Sequence, residues 1–330
     1  MTYNNEKKRG NVMKKRSGLI GLSFVIAITA GLYAFVVNNP IHAHQHRIGE
    51  TYMTMNNTFY DAIHEEVKKI TDEHNDILIT RDPLLSVEKQ LEQLDHFEQQ
   101  HIDVLIINPV DGNDDRIINK LKELKRKGIS IIVVDSQLKE DQFIDCTILS
   151  DNYNAGVLCA KDMMKNIKSA KILLLEHLAA LSAVDRIKGF TDTINNHPEY
   201  QIIDREDCSG QTEIAMPKMK AMIERHSHFD VLMALNDPSA LGALAAIEEA
   251  KSHQSFMVYS VDGSPDMKKL INDTNGRYYT AAQSPLMMGK KAANNAYRLI
   301  KKKNVSAKVI VPVSLVGKNN ISDYDLSGWQ

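Results

Sequence analysis

From Arg47 to Val313 short apolar runs alternate with amphipathic segments, and that alternation leaves few folds open. The apolar runs place strands at 47–53, 76–80, 103–107, 130–134, 146–149, 171–175, 200–204, 229–234, 256–261, 278–282 and 308–313. Helical periodicity fills the gaps at 58–75, 86–101, 113–127, 152–167, 183–196, 211–227, 238–250, 265–274 and 285–303. A strand–helix alternation of this kind builds parallel sheets covered by helices on both faces. Runs such as DVLIIN, ISIIVVD and AKILLLE are continuous rather than alternating, as strands buried on both faces require. Eleven strands exceed an ordinary sheet, so two sheets are expected, split near Ser150. A length of 330 residues suits two domains, because a single core seldom grows beyond about 250 residues.

The formal net charge of −2 argues against a general nucleic-acid binder, which carries a strongly basic domain. Cys146, Cys159 and Cys208 form no disulfide framework and no zinc spacing, so they read as small, semi-buried side chains. No motif for a nucleotide, flavin or metal cofactor is present, and no cofactor is expected.

Residues 17–37, SGLIGLSFVIAITAGLYAFVV, carry no charge and match the length of about 20 residues that a helix needs to cross a bilayer. Lys14, Lys15 and Arg16 precede them, which leaves residues 1–16 as a basic cytoplasmic tail and sends residue 38 onward outside. The competing reading is a cleaved signal peptide, whose apolar region is shorter and ends at a small-residue site. The length favours a retained anchor. Residues 38–46 then form a linker in which His42, His44 and His46 alternate. Without a carboxylate or cysteine to complete a metal set, they read as a polar spacer.

Ligands of open α/β sheets bind beyond the carboxyl ends of the strands, so the residues that follow each apolar run matter most. Asn236 comes before Asp237-Pro238, Asp262-Gly263 before Ser264-Pro265, and Gln283 before Ser284-Pro285. In each case Asp or Ser can cap a helix with proline in its first turn, holding one polar residue at the strand tip. Asp135-Ser136 ends another run, and the first is followed by Thr54-Met55-Asn56-Asn57-Thr58-Phe59-Tyr60. Amides and carboxylates can pair with neighbouring hydroxyls, aromatic faces cover C–H surface, and Arg186 adds a planar donor fork. A small polyol fits such a set.

The ordered segments YMTMNNTFYDAI, INP, VVDSQ, LSDNYNAG, SAVDRIKGF, LNDPSALGALAAI, VDGSPD and AAQSPLMMG resemble the periplasmic sugar-binding proteins of the ribose-binding type, over about residues 47–317. The resemblance implies two Rossmann-like domains joined by three crossovers near 150/151, 283/284 and 313/314. The first domain would comprise 47–150 plus 284–313, and the second 151–283 plus 314–330. It implies ligand contacts at Asn57, Phe59, Tyr60, Asp135, Arg186, Asn236, Asp262 and Gln283. Ser136 stands where the pattern has arginine, Ser209 and Val261 where it has aromatics, and Thr58 where it has proline. Those departures point beyond ribose to another pentose, a hexose or a cyclitol. Glu50, inside an expected buried strand, has no evident role in the sequence.

Three other functions compete. A glycoside-processing enzyme could use Asp135, Asp262 or Glu176 as acid and base, but no catalytic motif accompanies them. A sugar-responsive repressor would need a helix-turn-helix before residue 47, where the apolar stretch lies instead. Among binding proteins, the partner is either the permease of an ABC importer or a membrane histidine kinase, with the membrane itself engaged through residues 17–37.

Overall fold

The computed structural model describes residues 26–35, 45–251, 255–275 and 277–330. The chain divides into two compact units, Met1–Gln45 and His46–Gln330. In the first, residues 26–35 are helical, with Ile26, Ile28, Leu32, Tyr33 and Phe35 exposed. Most of the expected 17–37 span lies outside the described residues, as do the basic tail and His42 and His44. Among the described residues, no helix is long and apolar enough to cross a membrane.

The second unit is α/β with two parallel-sheet lobes. Its strands are β1 (Arg47–Thr51), β2 (Ile77–Arg81), β3 (Val104–Ile107), β4 (Ser130–Val134), β5 (Cys146–Ser150), β6 (Ala170–Glu176), β7 (Tyr200–Asp207), β8 (Val231–Ala234), β9 (Met257–Asp262), β10 (Arg277–Ala282), β11 (Lys308–Val311) and β12 (Ser314–Val316). Its helices are α1 (Thr58–Glu73), α2 (Val87–Gln99), α3 (Asp115–Arg126), α4 (Asn152–Asn166), α5 (Leu181–Ile194), α6 (Thr212–Arg225), α7 (Asp237–Glu249), α8 (Pro265–Asp273) and α9 (Pro285–Ile300). One sheet has the order β11-β5-β4-β3-β1-β2, the other β12-β10-β9-β8-β6-β7. The chain therefore passes between the sheets after β5, after β10 and after β11. The expected run 308–313 ends early, and β12 pairs antiparallel with β10, a short strand that periodicity could not separate from its predecessor.

Continuous apolar strands fill two cores at once. Val104 and Ile106 of β3 face one apolar cluster, Leu105 and Ile107 the other, because successive side chains of a strand point to opposite faces. Glu50 is fully buried in β1 and its carboxylate is satisfied locally. It accepts from Tyr52 Oη at 2.8 Å and Thr80 Oγ1 at 2.8 Å, and pairs with His64 Nδ1.

Helix starts are fixed by side-chain caps at Asn57, Ser86, Asp114 and Ser264. One expected cap moves by a residue. Asn236, rather than Asp237, caps α7, accepting from Ser239 N at 3.0 Å. Asp237 turns inward instead and is fully buried. It accepts from Ser260 Oγ at 2.5 Å, Thr280 Oγ1 at 2.7 Å and Ser264 N at 2.7 Å, so it ties together the tips of β9 and β10 and the loop between β9 and α8. Ser284 makes no side-chain cap.

Helices α4 and α5 meet at two glycines. A Cβ at Gly156 would lie 1.9 Å from the carbonyl oxygen of Arg186, and one at Gly189 would lie 2.0 Å from that of Tyr153. The absence of side chains at both positions lets α5, which carries Arg186, lie directly on α4.

Candidate functional site

The carboxyl ends of the two sheets face each other, and the lobes touch there. Gln137 Nε2 donates to Asp185 Oδ2 at 2.7 Å, Ser182 N to Ser136 Oγ at 3.2 Å, and Gly112 N to the carbonyl of Ala179 at 3.1 Å. Ser136 is thus an interlobe acceptor at the position where the ribose-binding pattern has arginine.

Arg186 is the hub. It is only 4% exposed and each of its three guanidinium nitrogens donates a hydrogen bond. Nε donates to Asn152 Oδ1 at 2.8 Å, Nη1 to the carbonyl of Leu235 at 3.1 Å, and Nη2 to Gln283 Oε1 at 3.2 Å. It stands 3.6 Å from Asp135 Oδ1 on the first lobe and 3.6 Å from Asp262 Oδ1 on the second. One cation therefore faces two buried carboxylates from opposite lobes. Burial pushes the Asp135 carboxyl up from its ordinary range, against the pull of Arg186. Asp262 is raised well above its ordinary value, first by burial and then by neighbouring Asp237.

Each carboxylate is held by its own lobe. Asp135, in the left-handed region at φ 65°, accepts from Tyr60 Oη at 3.0 Å and Asn108 Nδ2 at 3.3 Å on Oδ2. Its Oδ1 is buried and has no hydrogen-bond partner among the described residues. Asp262, at φ 142°, accepts from Gln283 Nε2 at 2.7 Å and from Asp237 N at 3.3 Å. Asn236 Nδ2 donates to the carbonyl of Gly210 at 3.0 Å, which leaves its amide shared between helix cap and loop.

Of the eight residues expected at the site, Asn57, Tyr60, Asp135, Arg186 and Asn236 line one interlobe cavity. Asp262 and Gln283 adjoin it through Arg186. Phe59 does not line it; its ring packs edge-on against Tyr60 at 5.5 Å and Trp329 at 5.6 Å. The cavity measures about 30 Å³, enough for a water or two and too small for a sugar ring, so the lobes are closed on each other. His177 also lines it, and burial holds its imidazole below the ordinary value. Asn108, Asn152 and His177 belong to the site although the sequence reasoning did not name them. Asn108 directly follows the apolar run of β3 and His177 comes one residue after that of β6, close to the placement that singled out Asn236 and Asp262. Among the described residues no group of His, Cys, Asp and Glu is arranged to hold a metal ion.

The periplasmic binding protein domain family matches residues 48–304. The ribose import binding protein of Escherichia coli (strain K12) is 28% identical over 268 residues, covering 80% of this chain and 88% of that protein. Its counterpart in Bacillus subtilis (strain 168) is 26% identical over 270 residues, covering 81% and 86%. Among solved structures, an ABC transporter solute-binding protein from Mycobacterium smegmatis with bound glycerol superposes with a TM-score of 0.79 at 25% identity, over 84% of this chain and 96% of that one. One from Bacillus halodurans with bound myo-inositol gives a TM-score of 0.79 at 20% identity, over 86% and 98%. These relatives are binding proteins, not enzymes. With a family match running from β1 through α9, the chain belongs to the periplasmic binding protein domain family.

Proposed function

We propose that this chain binds an uncharged monosaccharide or cyclitol between its lobes and delivers it to the permease of an ABC importer. The observation that carries the reading is Arg186 set between Asp135 and Asp262, one carboxylate from each lobe. Carboxylates, amides and one guanidinium pair well with vicinal hydroxyls, and the buried Oδ1 of Asp135 has an acceptor position to spare. The named functions of the relatives, ribose import among the curated proteins and inositol in one structural neighbour, fit this chemistry. Nothing in the fold favours a histidine kinase as the partner.

Here the lobes are 47–150 plus 284–313 and 151–283 plus 314–330, with Asn57, Phe59, Tyr60 and Asp135 presented by the first and Arg186, Asn236, Asp262 and Gln283 by the second. Opening at the three crossovers admits the ligand. Closure then pairs its hydroxyls with both sets, so the closed state is the one that ligand favours. Calorimetry against pentoses, hexoses and inositols is expected to give a dissociation constant on the order of micromolar, about −8 kcal/mol. Asp262→Ala should weaken that binding at least about tenfold, since an unmet buried polar partner costs about 1–3 kcal/mol. Cys159→Ala, a buried core position on α4, should not. Scattering from residues 44–330 should show a smaller radius of gyration with ligand. Binding of amino acids or peptides alone, or wild-type affinity in Asp262→Ala, would rule the reading out.

Residues 17–37 are proposed as a retained membrane anchor. The exposed apolar side chains of the helical residues 26–35 support this, as do the flanking Lys14, Lys15 and Arg16. Sequencing the amino terminus of the membrane-extracted protein is expected to find the segment attached; a mature chain beginning near His44 would refute the anchor.

A further inference from the structure

Beyond β12 the chain runs back over the cleft. It is pinned to the second lobe by Lys268, a lysine only 1% exposed. Lys268 Nζ donates to the carbonyl of Gly328 at 2.7 Å and to Gln330 Oε1 at 3.0 Å. Gln330 Nε2 in turn donates to the carbonyl of Asp262 at 3.1 Å and to that of Gln283. These are the backbones of two proposed ligand-binding residues, one of them beside the second crossover. Between these anchors Trp329 reaches the other lobe, where its ring meets Phe59 of α1 edge-on at 5.6 Å. Phe59 packs against Tyr60, whose hydroxyl donates to Asp135.

We infer that Gly328-Trp329-Gln330 is an interlobe clasp, and that Trp329 and Lys268 are positioning residues which hold Phe59, Asp262 and Gln283 in the closed arrangement. A buried ammonium is costly unless its protons are met by acceptors, and the acceptors this one has are supplied by the clasp. The docked segment is therefore fixed on the second lobe independently of ligand. Its tryptophan contributes an aromatic contact across the cleft in a chain that has Ser209 and Val261 at two strand-tip positions. Opening the lobes separates Trp329 from Phe59 and exposes both rings to water, at a cost that scales with the apolar area uncovered. The clasp thus raises the closed fraction of the ligand-free protein.

The inference rests on the interlobe binding site proposed above, and its main tests need no ligand. Trp329 is the single tryptophan of the chain, so its fluorescence reports the clasp directly. In the full-length protein in detergent, acrylamide should quench it weakly, and much more strongly in Lys268→Met and in Gln330→Ala. Pulsed EPR between spin labels at Lys122→Cys on the first lobe and Lys220→Cys on the second reads the interlobe distance. Trp329→Ala should shift that distance, without ligand, to longer and broader values while the circular dichroism spectrum is unchanged, and Trp329→Phe should restore it. Quenching in the wild type as efficient as in Lys268→Met, or a distance distribution indifferent to Trp329→Ala, would overturn the clasp. Calorimetry with D-ribose and myo-inositol tests the binding site separately from the clasp. Should neither sugar bind while the EPR shift is present, the ligand assignment fails and the clasp stands.

Discussion

Alanine at Gly156 is expected to destabilise the folded unit by about 3 kcal/mol, toward the upper end of what overpacking costs, and to weaken ligand binding with it. The added methyl would sit 1.9 Å from the carbonyl oxygen of Arg186 and 2.6 Å from the amide nitrogen of Phe190. Both are backbone atoms inside a helix, so no rotamer change relieves the clash, and α5 must move away from α4. Arg186 moves with it. Its bonds to Asn152 of α4 and to the tips of β8 and β10 cannot all survive a displacement of about an ångström, given hydrogen-bond lengths confined to about 2.7–3.2 Å. Urea unfolding of residues 46–330, followed by circular dichroism, measures the first effect and calorimetry the second. A loss below about 1 kcal/mol, under the usual range of such costs, would mean that the helices separate freely and that the glycines do not set their spacing.

The second large effect belongs to Arg186→Met. Removing one partner of a buried ionic cluster costs about 3–5 kcal/mol because the remaining charges are left uncompensated, and here two carboxylates remain. The pH dependence identifies that cause. Asp135 and Asp262 are already raised by burial while the guanidinium pulls them down; without it they rise further above the unfolded carboxylate value of about 3.9. The folded variant then binds more protons than its unfolded chain over the range between those values, so its stability falls as pH rises. The deficit against wild type should be smaller at pH 5 than at pH 8. Equal deficits at the two pH values would assign the loss to packing rather than to stranded carboxylates.

Much of this architecture is legible in the sequence because burial on both faces writes itself as unbroken apolar runs. DVLIIN and ISIIVVD became β3 and β4, each serving two cores. The site is legible for a related reason. A parallel strand ends where its side chains cease to be buried, and the first polar residues after it stand at the cleft. That rule placed Asp135, Asn236, Asp262 and Gln283, and applied evenly it would also have given Asn108 and His177. It says nothing about contacts made from distant chain segments. Glu50 is explained by His64 from α1 and Thr80 from β2, and Trp329 by Phe59, pairings that no local pattern encodes. Asp237 before Pro238 has the sequence of a helix cap. The competing demand of Ser260, Thr280 and the Ser264 amide turned it inward and left the cap to Asn236.

The interleaved order of the strands has a consequence for how the protein is made. The first lobe's sheet includes β11, paired only with β5, and α9 packs on α1, so that lobe lacks one edge strand and one covering helix until residues 285–311 have been synthesised. The whole of the second lobe, apart from residues 314–330, emerges in between. A nascent chain of this design cannot finish its amino-terminal half first, and closing so long a loop is a slow, entropically unfavourable step. The incomplete lobe keeps apolar surface uncovered for most of translation, a state that favours aggregation and also leaves the chain loose enough to be threaded through a narrow channel before it locks.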